Sequence, residues 1–203
     1  MALVLGLGNP GPRYASTRHN VGWWVVDRLV QRWRGRAEPG NERWSAWRID
    51  HPRPLSDAGR RGSEVVLLKP LTFMNASGDA LRDWLSQQGA PPVSMLVVAD
   101  DVYLPVGVLR LRPSGSSGGH RGLQSVEQAL GSRDYARLRI GVGAAEAPEL
   151  RDHVLETPEG EEREALERAA DVAADAVECW LGEGILAAMN RFNRRVRKEV
   201  SEP

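Results

Sequence analysis

One histidine, His19, is well suited to acid–base chemistry in this 203-residue chain. It follows a glycine-rich segment and precedes a predicted helix, so its ring can reach both solvent and a substrate. A carboxylate that accepts the Nδ1 proton of an imidazole leaves Nε2 free to take a proton from water. Asp100 and Asp101 end an apolar run and can supply that carboxylate. These residue types predict a general base with an orienting partner.

Other polar residues are predicted at the same edge of the protein. The glycine-rich segment carries a cluster of polar side chains that includes Asn9 and Tyr14, and Asn75 lies at the start of another predicted helix. Simpler interpretations stay open, since asparagine often caps helices and a histidine before a helix often caps or packs. Ligands bind at the carboxyl ends of strands in open α/β sheets, which favours a site here.

Two alternative kinds of site are disfavoured. The segment Gly6–Gly11 fits the G-x-G-x-x-G pattern of dinucleotide-binding turns, but Pro10 and Pro12 interrupt it. The acidic residue expected further on would be Asp27, which falls inside the predicted helix rather than after a second strand. No Gly-x-Ser-x-Gly elbow is present, and Cys179 lies in an amphipathic stretch typical of a core residue.

Composition predicts a globular protein of the cytoplasm without a cofactor. Hydrophobic residues make up 41% and charged residues 27%, and four histidines and one cysteine offer no zinc-like spacing. The single cysteine and the absence of a basic signal-like start favour a reducing compartment, and no apolar run approaches a membrane span of about 20 residues. No metal, no other cofactor and no membrane contact are therefore expected.

The zero net charge is unevenly distributed along the chain. Residues 144–183 hold 13 acidic and three basic side chains, so the remainder is net basic. This distribution permits a basic face that binds nucleic acid, although the acidic segment can equally be the solvated face of a helix.

Strands and helices are predicted to alternate along the chain. Strands are expected at residues 3–7, 44–49, 64–68, 94–99, 108–112 and 137–143, with a hairpin connection over 52–62. Helices are expected at about residues 20–34, 77–88, 122–130 and 159–181, with a last one ending at 194–195. The pattern predicts a single-domain α/β fold, with a twisted, mixed and mostly parallel sheet flanked by helices.

Five motifs together resemble bacterial peptidyl-tRNA hydrolase, in the expected order over about residues 1–195. They are Gly6-Leu-Gly-Asn-Pro-Gly with Tyr14 and Thr17-Arg-His-Asn, Lys69-Pro-Leu-Thr-Phe-Met-Asn-Ala-Ser-Gly, Asp100-Asp with Leu104-Pro-Val-Gly, Gly118-Gly-His with Gly122-Leu, and Arg137-Leu-Arg-Ile-Gly-Val-Gly. The resemblance implies a hydrolase-like domain over 1–195 and a charged tail over 196–203. It also implies a monomeric, metal-independent cytoplasmic enzyme that cleaves the ester between a peptide and the 3′ ribose of tRNA, which recycles tRNA from stalled translation.

The resemblance further implies roles for individual residues. His19 would be the general base and Asp100 its orienting partner. Asn9 and Asn75 would hold the substrate ester and the peptide backbone by amide hydrogen bonds, and either of them could donate to the developing oxyanion. At the substrate-binding positions, Phe73 and Met74 would line the peptide channel, and Tyr14 and Asn20 would support the loop. Arg121 also stands at a substrate-binding position. Basic residues implied to contact the tRNA acceptor stem and 5′ phosphate are Arg110, Arg112 and Arg139.

Two positions depart from the family's pattern. Arg121 stands where the family usually has Asn, and Tyr103 stands where Asp is common. An arginine has donors but no acceptor, so Arg121 would donate to a carbonyl or pair with Asp100 or Asp101. The departure leaves an alternative open, a non-catalytic RNA-binding relative that would bind tRNA without turnover.

Overall fold

The computed structural model describes residues 1–50, 64–143 and 150–193. The predicted hairpin connection over 52–62, the end of the last predicted helix at 194–195 and the tail over 196–203 lie outside these ranges. The domain boundary predicted at residue 195 therefore stays a prediction.

The strands form one mixed sheet, as predicted, but there are seven of them where six were expected, because the two-residue edge strand Arg36–Ala37 is too short to show a pattern. Their order across the sheet is β2-β3-β4-β1-β5-β7-β6. The four central strands β4, β1, β5 and β7 run parallel, and the outer strands pair antiparallel. The strands are β1 (Ala2–Gly6), β2 (Arg36–Ala37), β3 (Trp44–Asp50), β4 (Glu64–Pro70), β5 (Ser94–Asp101), β6 (Leu109–Arg112) and β7 (Ala136–Gly141).

Helices cover both faces of the sheet. They are α1 (Val21–Trp33), α2 (Ser77–Ser86), α3 (Arg121–Leu130), α4 (Leu150–Leu155), α5 (Gly160–Glu183) and α6 (Ile185–Phe192). Helix α4 was not predicted, because six residues are too few to show a helical period. Within the three described ranges, no helix has the length and apolar character that crossing a membrane requires.

The central strands are apolar throughout because each face of the sheet is buried. In β1, Ala2 and Val4 belong to a core shared with α1 and α5, whereas Leu3 and Leu5 pack with residues of α2 and α3. All four side chains are fully buried. Parallel strands covered on both faces typically show such continuous apolar runs, which explains why they could be recognised in the sequence.

Some carboxylates of the acidic segment, residues 144–183, form ion pairs that join α5 to α1. Arg28 Nε lies 2.7 Å from Asp171 Oδ1, and Arg32 Nη1 lies 2.6 Å from Asp175 Oδ1. The carboxylates are largely exposed, so each pair contributes at most about 1 kcal/mol to stability. The charges of this segment thus hold two helices together as well as facing solvent.

A close approach of α2 to α3 depends on a glycine. The Gly78 N–H donates to Ser125 Oγ at 2.9 Å, and a Cβ on Gly78 would overlap the carbonyl of Ser125. Polar residues just before α2 and at the start of α3 line the cleft described below. The contact between the two helices therefore sets the distance between two walls of that cleft.

The variant Gly78→Ala is expected to destabilise the protein. Although alanine favours helices, the added methyl group forces α2 and α3 apart, and such overpacking costs about 1–3 kcal/mol. Urea unfolding should show a lowered midpoint. Gly89→Ala is the matched control, since a Cβ there meets no atom within 4 Å. Equal midpoints for the two variants would contradict this role of Gly78.

Candidate active site

His19 and Asp100 form the predicted pair. His19 Nδ1 lies 2.7 Å from Asp100 Oδ1, and Asp100 is only 2% exposed at the end of β5. His19 lies in a short 3-10 turn, Arg18–Asn20, immediately before α1. With Nδ1–H donated to the carboxylate, the Nε2 lone pair of His19 is available to a water molecule.

A second imidazole, from His120, binds the same carboxylate oxygen. His120 Nε2 lies 2.9 Å from Asp100 Oδ1, while its Nδ1 accepts the backbone N–H groups of Gly122 and Leu123 at the start of α3. Because Nδ1 is an acceptor, Nε2 must carry the proton and donate it to Asp100. In the sequence, His120 was noted only as part of a motif. Its distance of 20 residues from Asp100 along the chain gave no sign that the two side chains meet.

The electrostatics of this array follow from burial and charge. Burial alone would raise the pKa of Asp100, but the charges and hydrogen bonds of His19 and His120 outweigh it and hold that pKa well below its usual range. Burial lowers the pKa of His19, yet the charge and hydrogen bond of Asp100 prevail and raise it overall, while Arg121 opposes the rise. Asp100 is therefore anionic, and His19 is a stronger base than a free imidazole.

The same three side chains do not fit a metal ion. One ligand atom from each of His19, Asp100 and His120 lies within 4.8 Å of the others. However, a metal at His120 Nε2 would require its proton to move to Nδ1, where two backbone N–H groups already donate. The expectation that the site works without a metal stays a prediction, and this hydrogen bonding supports it.

Arg18 anchors the turn that carries His19. Its Nε and Nη2 bind the two carboxylate oxygens of Glu162, each at 2.7 Å, and its Nη1 donates to the carbonyl of His153 at 3.0 Å. This bidentate, largely buried pair joins the turn to α4 and α5. On the other side, a Cβ on Gly22 would lie 2.6 Å from the carbonyl of Val98, so the glycine lets α1 start directly against β5.

Asn9 is held by a network that fixes the orientation of its amide. Its Oδ1 accepts the Met74 N–H at 2.8 Å, so Nδ2 is the group left for a ligand. Asn20 accepts the Asn9 N–H at 2.8 Å and donates to the Asn9 carbonyl at 3.0 Å. Because Asn20 is 0% exposed, its hydrogen bonds support the Asn9 loop, which is the role that the resemblance implies for it.

The polar array opens into a cleft of about 500 Å³. Phe73, 55% exposed, and the half-buried Tyr14 form an edge-to-face pair with ring centroids 6.3 Å apart, and Met74 lies buried beside them. Asn75 is exposed, and α2 begins without a side-chain cap, so Asn75 is not a capping residue. Of the predicted site residues, the cleft is lined by Asn9, Tyr14, His19, Phe73, Met74, Asn75, Asp100, Arg121 and Arg139.

Arg121 and Tyr103, the two departures from the family pattern, both line this cleft. Arg121 is exposed as the first residue of α3 and pairs with neither predicted carboxylate. Asp100 is bound to the two histidines, and Asp101 Oδ2 lies 3.0 Å from Arg139 Nε. Arg121 therefore keeps its donors available to a ligand.

The arginines predicted to contact tRNA share one face at the sheet edge. Arg110 and Arg112 are exposed on β6 and lie opposite Arg139 and Arg137 of β7. Arg139 already has partners within the protein, because it pairs with Asp101 and donates to the Ser117 carbonyl. Its contact with tRNA stays a prediction. Arg137 Nη1 also donates to the Ser116 carbonyl at 3.1 Å, so both arginines hold the loop of residues 114–119 before α3. Arg110 and Arg112 have no ion-pair partner among the described residues.

Comparisons with known proteins place the chain in a family. The family model described as peptidyl-tRNA hydrolase matches residues 3–201. A peptidyl-tRNA hydrolase of Synechococcus sp. (strain JA-2-3B'a(2-13)) is 48% identical over 95% of this chain and 83% of the relative. One from Gemmatimonas aurantiaca is 40% identical over 96% of this chain and 100% of the relative.

Solved structures agree with the sequence relatives. A peptidyl-tRNA hydrolase crystallised with n-propanol has a TM-score of 0.83 at 30% identity, covering 95% of this chain and 94% of that one. The enzyme from Acinetobacter baumannii has a TM-score of 0.81 at 31% identity, with the same coverage. This chain therefore belongs to the peptidyl-tRNA hydrolase family.

Proposed function

We propose that this chain hydrolyses the ester bond of peptidyl-tRNA through a water molecule that His19 deprotonates. The observation that carries the assignment of the base is the 2.7 Å contact between His19 Nδ1 and the buried, anionic Asp100. This contact leaves Nε2 of His19 unprotonated, on a ring that lines the cleft. Among the described residues of the cleft wall there is no serine or cysteine nucleophile, which favours direct attack by water.

The reaction then needs one proton acceptor and one proton donor. His19 Nε2 takes a proton from water as the oxygen attacks the acyl carbon, and Asp100 stabilises the imidazolium that forms. The imidazolium then returns the proton to the 3′ oxygen of the ribose as the ester bond breaks. The products are a peptide with a free carboxyl group and a tRNA with a restored hydroxyl.

Amide donors at the cleft wall support the placement of the substrate. Asn9 presents Nδ2, because its Oδ1 is occupied by the Met74 N–H. Asn75 is exposed at the same wall, and Phe73 and Tyr14 provide an apolar surface for the peptide. We assign these residues to the peptide side of the substrate.

The exposed arginines of β6 support a contact with the tRNA acceptor stem. Arg110 and Arg112 alternate with the buried Leu109 and Leu111, so both guanidinium groups project to one side. Forked donors of this kind bind phosphate oxygens. The assignments complete a proposal of a monomeric cytoplasmic enzyme that releases tRNA from stalled translation.

The non-catalytic alternative is not favoured. A protein that only binds RNA has no need of an anionic aspartate held by two histidines beneath a cleft, because burying a charge is costly unless hydrogen bonds compensate it.

His19→Ala is expected to lower kcat by at least about 100-fold, because general-base catalysis contributes roughly 10²–10⁴-fold. Turnover of a purified N-acetyl-aminoacyl-tRNA measures the effect. Retained tRNA affinity and a cooperative unfolding transition above the assay temperature serve as controls for folding. Full activity in this variant would contradict the proposed role of His19.

Activity is expected to fall as the solution becomes acidic, because protonated His19 cannot accept a proton from water. The pKa of His19 is raised by the charge of Asp100 against the opposing effects of burial and Arg121, so the loss begins at a higher pH than for a free imidazole. Asp100→Asn should shift the acid limb of kcat/KM to lower pH and also lower its plateau. A flat profile between about pH 5 and pH 8 would exclude His19 as the base.

Arg112→Gln is expected to raise KM for the tRNA substrate with little change in kcat. Loss of one phosphate contact should reduce the slope of log affinity against log salt concentration by about one. Arg82→Gln, which removes an exposed arginine paired with Asp79 on α2, is the matched control. Equal effects of the two variants would remove the case for a specific contact at β6.

A further inference from the structure

The cleft beside His19 contains an arginine whose charge is not neutralised. Arg121 lines the cleft and follows His120, which is bonded to Asp100. Among the described residues it has no hydrogen bond or ion pair. Arg121 and His19 line the same cleft, and the charge of Arg121 lowers the pKa of His19.

The other arginines of the cleft are placed differently. Arg139 is bound to Asp101, and Arg13 donates to the hydroxyl of Tyr14 and stacks over its ring with 4.5 Å between the guanidinium carbon and the ring centroid. Arg151 is exposed on α4, whereas Arg121 directly follows His120, which binds the same Asp100 oxygen as His19. Arg121 is therefore the unpaired guanidinium that the chain places next to the His19–Asp100–His120 array.

Hydrolysis creates negative charge at the acyl carbon. The neutral ester first becomes a tetrahedral species with one anionic oxygen, while His19 holds the proton from water. When the bond to the ribose oxygen breaks, that proton passes to the leaving oxygen. The peptide acid then loses its remaining proton to solvent, because a C-terminal carboxyl group has a pKa of about 3.5.

We infer that Arg121 binds the negative charge formed at the acyl carbon, first the oxyanion and then the carboxylate of the released peptide. The inference rests on the proposed function, because His19 defines where the acyl carbon lies. A guanidinium suits both species, since its forked donors match the two oxygens of a carboxylate. Asn9 and Asn75 offer neutral donors to the same substrate, whereas Arg121 adds a full positive charge.

The inference predicts that this enzyme prefers a free peptide acid to the matching amide. The probes are N-acetyl-dialanine and N-acetyl-dialanine amide, measured by calorimetry on the alkaline plateau of the measured pH–activity profile, where the base is unprotonated. The acid should bind the unmodified enzyme about tenfold more tightly, as expected for a charge-assisted hydrogen bond. In Arg121→Gln the preference should disappear because the amide of glutamine is uncharged.

Arg151→Gln is the matched control, since it removes another exposed arginine of the same cleft. It should keep the preference for the acid. Equal loss in both variants would show a general effect of positive charge and would overturn the assignment to Arg121. An unmodified enzyme that binds acid and amide equally would overturn it as well.

Kinetics provide a second measurement. Arg121→Gln should lower kcat by about tenfold or more, move the acid limb of the pH profile to higher pH and weaken inhibition by the peptide acid. Arg121→Lys should restore part of each effect. Unchanged kcat and inhibition in Arg121→Gln would contradict the inference while leaving His19 as the base, whereas full activity of His19→Ala would contradict the proposed function instead.

Discussion

The site depends on one oxygen, Asp100 Oδ1, which accepts an N–H from each of two histidines. A carboxylate buried to this extent is stable only if hydrogen bonds replace the water it has lost. His19 comes from the turn before α1 and His120 from the turn before α3, so the carboxylate joins segments from both faces of the sheet. The fold must bring these two turns to the end of β5 before His19 can act as the proposed base. The contacts of Arg18 with Glu162 and of Gly78 with Ser125 are parts of that requirement.

The fold and the sheet edge that holds His19 and the Asp100–Asp101 pair could be predicted from the sequence for a physical reason, whereas the choice of Asp100 came from the family resemblance. Strands buried on both faces appear as unbroken apolar runs, and their carboxyl ends mark one edge of the sheet. The function of His120 could not be found in this way. Its proton position depends on two backbone N–H groups of α3 and on a carboxylate from another element, and neither leaves a periodic signal.

Asparagine and arginine side chains show a further limit of sequence reasoning. Asn9 and Asn20 have the same chemistry, yet one faces the cleft and the other is buried beneath it. Arg110 and Arg139 lie opposite each other on one face, but only Arg139 has Asp101 within reach. Residue type and alternation predict which face a side chain occupies. How deeply the side chain is buried, and which partners it finds, depends on the elements that pack against it in three dimensions.

The charge balance of the cleft links these features to the reaction. Asp100 is the acidic side chain among the described residues that line the cleft, and it would repel a newly formed carboxylate if its charge were exposed. The two imidazole N–H groups disperse that charge, while the fixed tautomer of His120 prevents it from competing with His19 for the proton of water. On the solvent side of this array Arg121 contributes a positive charge. With the roles proposed for His19 and Arg121, the polarity of the cleft would match the transition state and the anionic product better than the neutral ester, which is the condition for catalysis by differential binding.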